Sequence, residues 1–300
     1  MKTVVIFGGS GFVGRHLIRR IAKNGYKIVV PYQHSINEAQ LRLLGTTGQV
    51  IPLKFSKIQE TMIINLLNSS DVIINLKTLW DENKITFHEG IYQFNKNLTN
   101  LIQKINKNIS LIYFSGIGID KKTKSERTKA IFKAENYIQE NLSNVIIIRP
   151  GIIIGGGDPF FLRLLPIFRY SFFIPFFGAG EAKIQPVFVD DVAQAINKII
   201  INKIRGNKIY ELVGKEIFTF KNFYRFIAKS LSVKRVFFSI PFNLAKIIVK
   251  IIERTPVKLL TTEQLLLFEV DNIPSGKYNN FFDLEIEPQD IKEIIKKIVR

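Results

Sequence analysis

Cysteine is absent from this 300-residue sequence, and histidine occurs only three times. The missing cysteines exclude a disulfide framework and a thiol nucleophile, and with His16, His34 and His88 scattered along the chain there is no cluster with metal-ligand spacing. No metal site is expected. Long apolar runs are missing as well: polar or charged residues interrupt every stretch before the roughly 20 residues that a membrane-spanning helix requires. Lys2 and Thr3 lead straight into Val4-Val5-Ile6-Phe7, so no secretory signal is expected and the cytoplasm is the expected compartment. Acidic residues are scarce, 25 against 43 lysines and arginines, which gives a formal charge of +18. A surface of that sign attracts phosphate or an anionic lipid leaflet. Because the lysines are spread along helices rather than run together, no nucleic-acid partner is expected.

Apolar residues are plentiful, at 46% of the chain, enough for a large core without staples. Short apolar runs alternate with helical patterns up to about residue 150: Val4 to Phe7, Ile28 to Val30, Val50 to Leu53, Val72 to Asn75, Leu111 to Phe114 and Val145 to Ile148. Strands apolar on both faces belong to a parallel sheet covered by helices, so the expectation is a doubly wound α/β fold with a smaller, discontinuous C-terminal lobe. Residues 1–150 are expected to form the nucleotide domain and 151–300 mainly the second lobe, with 183–203 returning to the first. Within that return, Pro186-Val187-Phe188-Val189 reads as a strand entering a helix that Asp190 and Asp191 cap. Ile209 to Val213 reads as a further strand.

The first strand runs into Gly8-Gly9-Ser10-Gly11-Phe12-Val13-Gly14, followed by the helix pattern Leu17, Ile18, Ile21, Ala22. Glycines at the first, fourth and seventh positions between a strand and a helix make a dinucleotide turn. Gly8 permits the tight bend, Gly11 lets the pyrophosphate approach, Gly14 lets the helix pack closely, and the helix N-terminus offers N–H donors to the anion. Ser10, Phe12 and Val13 belong to the same turn. The second strand ends in Pro31-Tyr32-Gln33-His34-Ser35, without the acid that would bind the ribose hydroxyls of NAD. NADP(H) is therefore favoured, with NAD(H) the alternative. Arg15 or His34 could meet a 2′-phosphate, though Arg15 fits a solvent-facing helix position equally well. His16 and His88 read as isolated surface or packing residues.

Gly8 to Gly14, Ser115, Arg149-Pro150-Gly151 and Gln185-Pro186-Val187-Phe188-Val189-Asp190-Asp191-Val192-Ala193 together resemble the extended and atypical short-chain dehydrogenase/reductases. Val30-Pro31-Tyr32, Leu41-Arg42-Leu43-Leu44-Gly45, Gly48-Gln49-Val50, Val72 to Leu76, Gln185-Pro186, Thr262-Glu263-Gln264-Leu265 and Asp271-Asn272 look like the complex I alpha-subcomplex subunit 9 family and its bacterial relatives. The resemblance implies a Rossmann fold whose cofactor site takes in Gln33, Asn75, Leu76, Ser115, Lys129 and Pro150 besides the glycine turn. As partners it implies respiratory complex I or quinone-biosynthesis proteins. A peripheral position on the inner face of the cytoplasmic membrane would follow.

Active members of the superfamily place a Tyr four residues before a Lys, with a Ser nearby, so that the phenol exchanges a proton while hydride moves. Ser115 stands at the serine's place. In Ser125-Glu126-Arg127-Thr128-Lys129 the lysine is present and a serine replaces the tyrosine. A serine hydroxyl is a far poorer acid than a phenol, so Ser115 and Lys129 read as vestigial, with Lys129 still available to the nicotinamide ribose. Tyr113 and Tyr137 read as core or helix-face residues. Three functions stay open: a dinucleotide-binding protein of the respiratory quinone system, an oxidoreductase or epimerase with an atypical proton donor acting on a quinone-like or isoprenoid substrate, and a redox-sensing regulator.

Beyond residue 150 a Phe-rich stretch runs from Phe160 to Phe177. Between Pro241 and Pro256, Phe242, Leu244, Ala245, Ile247, Ile248, Ile251 and Ile252 form an apolar stripe with Lys246, Lys250 and Arg254 interspersed. That pattern suits a helix lying on a membrane or one packed on its own lobe. With Phe172 to Phe177 it could form an apolar surface for a membrane, a partner subunit or an isoprenoid chain.

Overall fold

The computed structural model describes residues 2–82, 84–105, 109–119, 123–253 and 260–299. All six apolar runs form strands: β1 (Thr3–Phe7), β2 (Lys27–Tyr32), β3 (Val50–Lys54), β4 (Val72–Asn75), β5 (Ser110–Phe114) and β6 (Val145–Pro150). Between them lie α1 (Phe12–Ala22), α2 (Glu38–Arg42), α3 (Thr61–Asn68), α4 (Phe94–Ile105) and α5 (Glu126–Asn141). The chain continues through β7 (Ile153–Ile154), α6 (Pro159–Tyr170), β8 (Phe173–Phe177), β9 (Lys183–Ile184), β10 (Val187–Phe188), α7 (Val189–Ile201) and β11 (Lys208–Leu212). It then forms β12 (Phe218–Thr219), α8 (Phe220–Ser230), β13 (Val236–Ile240), α9 (Phe242–Ile252), α10 (Thr262–Leu266) and α11 (Ile291–Val299).

Seven strands pair in the order β11-β6-β5-β4-β1-β2-β3, all parallel. From β3 to β6 this is the dinucleotide-binding order, with the strand sequence reversing between β1 and β4, where a crevice opens at the carboxyl ends. Alternation within each strand supplies both faces. Val4, Ile6, Ile28, Val30, Ile74, Ile146 and Ile148 pack under α1 and α7, while Val5, Phe7, Ile73, Leu111, Tyr113 and Ile147 pack under α3, α4 and α5. These side chains are almost fully buried, and each contributes about 1.5–3 kcal/mol by leaving water.

The polypeptide leaves this layer after β6 and comes back through α7, whose Val192, Ile196 and Ile199 share a core with α1, and through β11, which pairs along β6. The remaining lobe is built on Phe161, Phe168, Tyr224, Ile227, Val249 and Ile295. In the Phe-rich stretch Ile174 and Phe176 turn inward, whereas Phe172 and Phe173 face solvent. The amphipathic helix is α9. It packs on its own lobe through Ala245 and Val249, yet leaves Leu244, Ile247 and Ile251 about half or more exposed, so own-lobe packing accounts for only one side of it. Arg254 and Pro256 lie outside the described residues. No helix among the described residues is long and apolar enough to cross a membrane, and none of their His, Asp and Glu side chains form a group that could hold a metal.

Candidate functional site

The glycine turn sits at the carboxyl edge of the sheet, beside the β1/β4 reversal. Gly8 has φ +75°, and a Cβ there would lie 2.8 Å from both the Leu76 carbonyl carbon and the Lys77 nitrogen. Only glycine accepts that combination. Gly11 closes the bend by donating from its N–H to the Gly8 carbonyl at 3.1 Å, and a Cβ on Gly14 would run into the Gly9 backbone. Gly14 thus serves the packing of helix against turn. Helix α1 starts at Gly11 with no side-chain cap and no acid in its first turn, so its leading N–H groups, from Phe12 onward, remain available to an anion.

Glycines 155 and 157 bring a loop of the second lobe onto this helix. Phe12 lies 3.3 Å from the Cβ position of Gly155, and an Arg15 guanidinium nitrogen 3.6 Å from that of Gly157. Arg15 is therefore half-buried against a loop rather than solvent-facing. His16, expected to be isolated, is not. Its Nδ1 meets Asp190 Oδ1 at 2.6 Å and its Nε2 meets the Gly156 carbonyl at 3.0 Å. The acid pair reading needs the matching correction. Phe188 is the N-cap of α7, and the two acids stand in its first turn with separate tasks. Asp190 takes His16, while buried Asp191 accepts from the Gln289 backbone and side chain at 2.8 and 3.0 Å. Burial pushes the Asp191 carboxyl up, and the His16 hydrogen bond holds Asp190 down.

An acid does approach the end of β2. Glu38, at the start of α2, accepts the Tyr32 hydroxyl on one oxygen and the Arg42 guanidinium at 2.9 Å on the other. Both oxygens are engaged, so Glu38 is a poor ribose ligand as it stands. His34 is exposed. The cation that does reach the β2 end is Lys77, which the sequence reading missed. Its Nζ donates to Gln33 Oε1 at 2.5 Å and lies 4.0 Å from the centre of the Phe94 ring. Asn75 is fully buried and spends its amide on Asn95 and on the Lys77 N–H, so it positions the turn after β4 instead of facing a ligand. Leu76 is buried beneath Gly8, and Pro150 ends β6 with its carbonyl accepting from Ile117.

Ser115 and Lys129, expected to be vestigial, each have a carboxylate partner. Ser115, at the end of β5, donates to Glu135 Oε2 at 2.6 Å, and the nearly inaccessible Glu135 also pairs with Arg149. Ser125, at the tyrosine's place, is the N-cap of α5 and gives its hydroxyl hydrogen to Glu263 of α10. Lys129 pairs with Glu126 at 2.6 Å on the partly exposed side of the helix. Arg127 grips the segment after β4, donating to the Leu79 carbonyl at 2.7 Å and stacking over Trp80. Tyr113 is buried, with its phenol pushed well up by desolvation, and Tyr137 donates to Asn100 at 2.8 Å. Neither tyrosine offers a free phenol at this edge.

The model of the NAD dependent epimerase/dehydratase family matches residues 4–131. The fold is that of the extended short-chain dehydrogenase/reductases, and the match to the family model lies in the nucleotide half. Subunit 9 of the NADH dehydrogenase [ubiquinone] 1 alpha subcomplex from Arabidopsis thaliana is 27% identical to this chain, over 96% of it and 74% of the relative. Its namesake from Dictyostelium discoideum is 30% identical over 73% of this chain and 61% of the relative. Among solved structures, Bacillus anthracis dTDP-glucose 4,6-dehydratase in complex with NAD superposes with TM-score 0.73 at 16% identity, covering 100% of this chain and 96% of the other. The human epimerase family protein SDR39U1 with NADPH superposes at 0.70 and 15% identity, each chain 99% covered. At such identities these two structures speak to the fold alone.

Proposed function

We propose that this chain binds a nicotinamide dinucleotide as a structural cofactor and serves the respiratory quinone system, as an accessory or assembly factor of complex I or in quinone biosynthesis. One observation carries the reading: the glycine cradle is complete, while Ser115, Ser125 and Lys129 are each committed to a carboxylate, Tyr113 is buried and Tyr137 is bonded to Asn100. The residues fit the cofactor. Gly8 to Gly14 and the uncapped start of α1 would hold the pyrophosphate, and Gln33 lies where the adenosine ribose rests in this fold. When bound, a nicotinamide supplies hydride chemistry; this chain's contribution is to bind it and shield it, without a proton donor placed for turnover.

Similarity to subunits named for complex I supports the quinone system as the setting. The apolar side of α9, with Phe173 and Phe238 on the paired strands β8 and β13, gives the second lobe a face suited to a partner subunit or to the membrane surface where quinones reside. A second reading, an oxidoreductase acting on an isoprenoid-derived substrate, draws on 23% identity to a Dictyostelium sterol-4-alpha-carboxylate 3-dehydrogenase, over 82% of each chain.

Mass spectrometry of the ligand released from freshly purified protein, paired with absorbance of reduced cofactor before and after short-chain quinones are added, separates the two. Retained dinucleotide that quinones leave reduced is expected. Rapid oxidation would make the protein an enzyme.

A further inference from the structure

Lys77 is an ammonium without a counter-charge. It lies half-buried where the chain leaves β4 and reaches across the carboxyl edge of β1 to Gln33 at the end of β2. Among the described residues no carboxylate pairs with it, whereas Arg127 of α5 and Arg149 of β6 each have a stacking aromatic plus backbone or carboxylate acceptors. Lys77 has the Gln33 amide oxygen and the face of Phe94. Desolvation lowers its pKa to about 8, and no neighbouring charge offsets that cost. A fold that holds a lone cation out of water does so at a loss unless an anion arrives.

Its position says which anion. In a doubly wound fold the end of β2 faces the adenosine ribose, and a carboxylate there selects the free 2′-hydroxyl. Here that place holds a neutral amide with an ammonium beside it, and Glu38, the acid at the start of α2, is tied to Tyr32 and Arg42. The Lys77 backbone is fixed on two sides, by Asn75 Oδ1 on its N–H at 3.0 Å and by the close approach of Gly8, so the side chain leaves from the rim of the glycine cradle itself. We propose that Lys77, positioned by Asn75 and oriented by Gln33, binds the 2′-phosphate of adenosine and makes this site selective for NADP(H) over NAD(H). The assignment rests on the dinucleotide reading above and extends it from cofactor class to cofactor identity. An ammonium is a point charge that suits a phosphate without demanding the planar fork of an arginine.

The test is a set of dissociation constants for NADP+ and NAD+, measured by calorimetry at pH 7 on the full chain. The proteins are the wild type, Lys77→Met, Lys77→Arg and Gln33→Glu, each checked for its unfolding temperature without ligand. The wild type should prefer NADP+ by about tenfold to a hundredfold, the range of one charge-assisted hydrogen bond. Lys77→Met should lose that factor for NADP+ and leave NAD+ within about twofold, while Lys77→Arg retains it. Gln33→Glu, which places a carboxylate against Lys77 and toward the ribose, should reverse the preference. The 2′,5′-bisphosphate of adenosine should follow NADP+, and adenosine 5′-diphosphate should follow NAD+. Equal losses of both dinucleotides in a folded Lys77→Met would assign the lysine to the pyrophosphate and overturn the proposal alone, as would a wild type that prefers NAD+. A folded wild type that binds neither dinucleotide overturns the cofactor reading and this assignment with it.

Discussion

His16 and Asp190 lie 174 residues apart in the chain and meet through a 2.6 Å contact between Nδ1 and Oδ1, joining the first helix of the nucleotide layer to the helix that returns to it. The Gly156 carbonyl and the Asp190 carboxylate both accept, so the protonated ring, with a donor on each nitrogen, satisfies both contacts at once. The Asp190 hydrogen bond raises the His16 pKa above its ordinary value against the opposing effect of burial.

A raised folded pKa contributes stability that is complete below the unfolded value near 6.5 and is lost as pH rises through the folded value. Thermal unfolding followed from pH 6 to 8.5 should therefore show a decline that His16→Gln removes, with that variant about 1–2 kcal/mol less stable at pH 6. An equal decline in the variant would assign the effect to other groups.

Lys77 carries the opposite sign. Its folded pKa of about 8 lies below its unfolded value, so its charge opposes folding at neutral pH, and the penalty is relieved between about pH 8 and 10.5. Lys77→Met should make the ligand-free protein more stable at pH 7 by about 1–2 kcal/mol, after allowance for its partial solvation, or a few degrees in unfolding temperature. A variant less stable than the wild type at pH 7 would show that the ammonium is well accommodated without an anion.

Glu135 is nearly inaccessible and is shared between Arg149 and the Ser115 hydroxyl. Removing one partner of a buried pair leaves the other charge uncompensated, at a cost of about 3–5 kcal/mol. Glu135→Ala should thus lower the unfolding temperature by on the order of ten degrees, read by calorimetry. A change under about 1 kcal/mol would mean that solvent and the Tyr278 ring suffice for Arg149.

Gly11 is exposed, and a Cβ there would meet the Gly8 carbonyl at 3.2 Å, so a side chain asks the turn to give by a few tenths of an ångström but does not enter the core. Gly11→Glu should leave the free energy of unfolding within about 0.5–1 kcal/mol of the wild type while abolishing dinucleotide binding, since it puts bulk and negative charge in the path of the pyrophosphate. Unchanged affinity in an equilibrium titration would remove the glycine turn from the binding site.

The sheet was legible because parallel strands covered on both faces must be apolar at every position, which leaves runs such as Val145 to Ile148 in plain view. The glycine turn was legible because its spacing follows from local backbone geometry. Residue pairs were not. Nothing local marks His16 as the partner of Asp190, or Lys77 as the cation that reaches Gln33, because both meetings depend on strand order. The two acids of α7 looked alike in sequence and differ only through what the fold sets against each: a histidine for one, the backbone and side chain of Gln289 for the other. Lys77 did leave one trace, a charged residue two places after an apolar strand, at the end of the sheet where ligands bind.

Strand β11 has a consequence for how this protein can be made. It forms the last row of the sheet along β6, and α7 before it covers one face of the strands completed by residue 150. A polypeptide stopped at Pro150 would therefore present β6 as an open edge beside uncovered isoleucines, a template for self-association. The nucleotide layer gains its last strand only with Leu212, and Phe281, Leu284 and Ile286, later still in the chain, join the same core. The cofactor half is contiguous at its start and spliced at its end, so it is better obtained by trimming the second lobe internally than by cutting the chain in two.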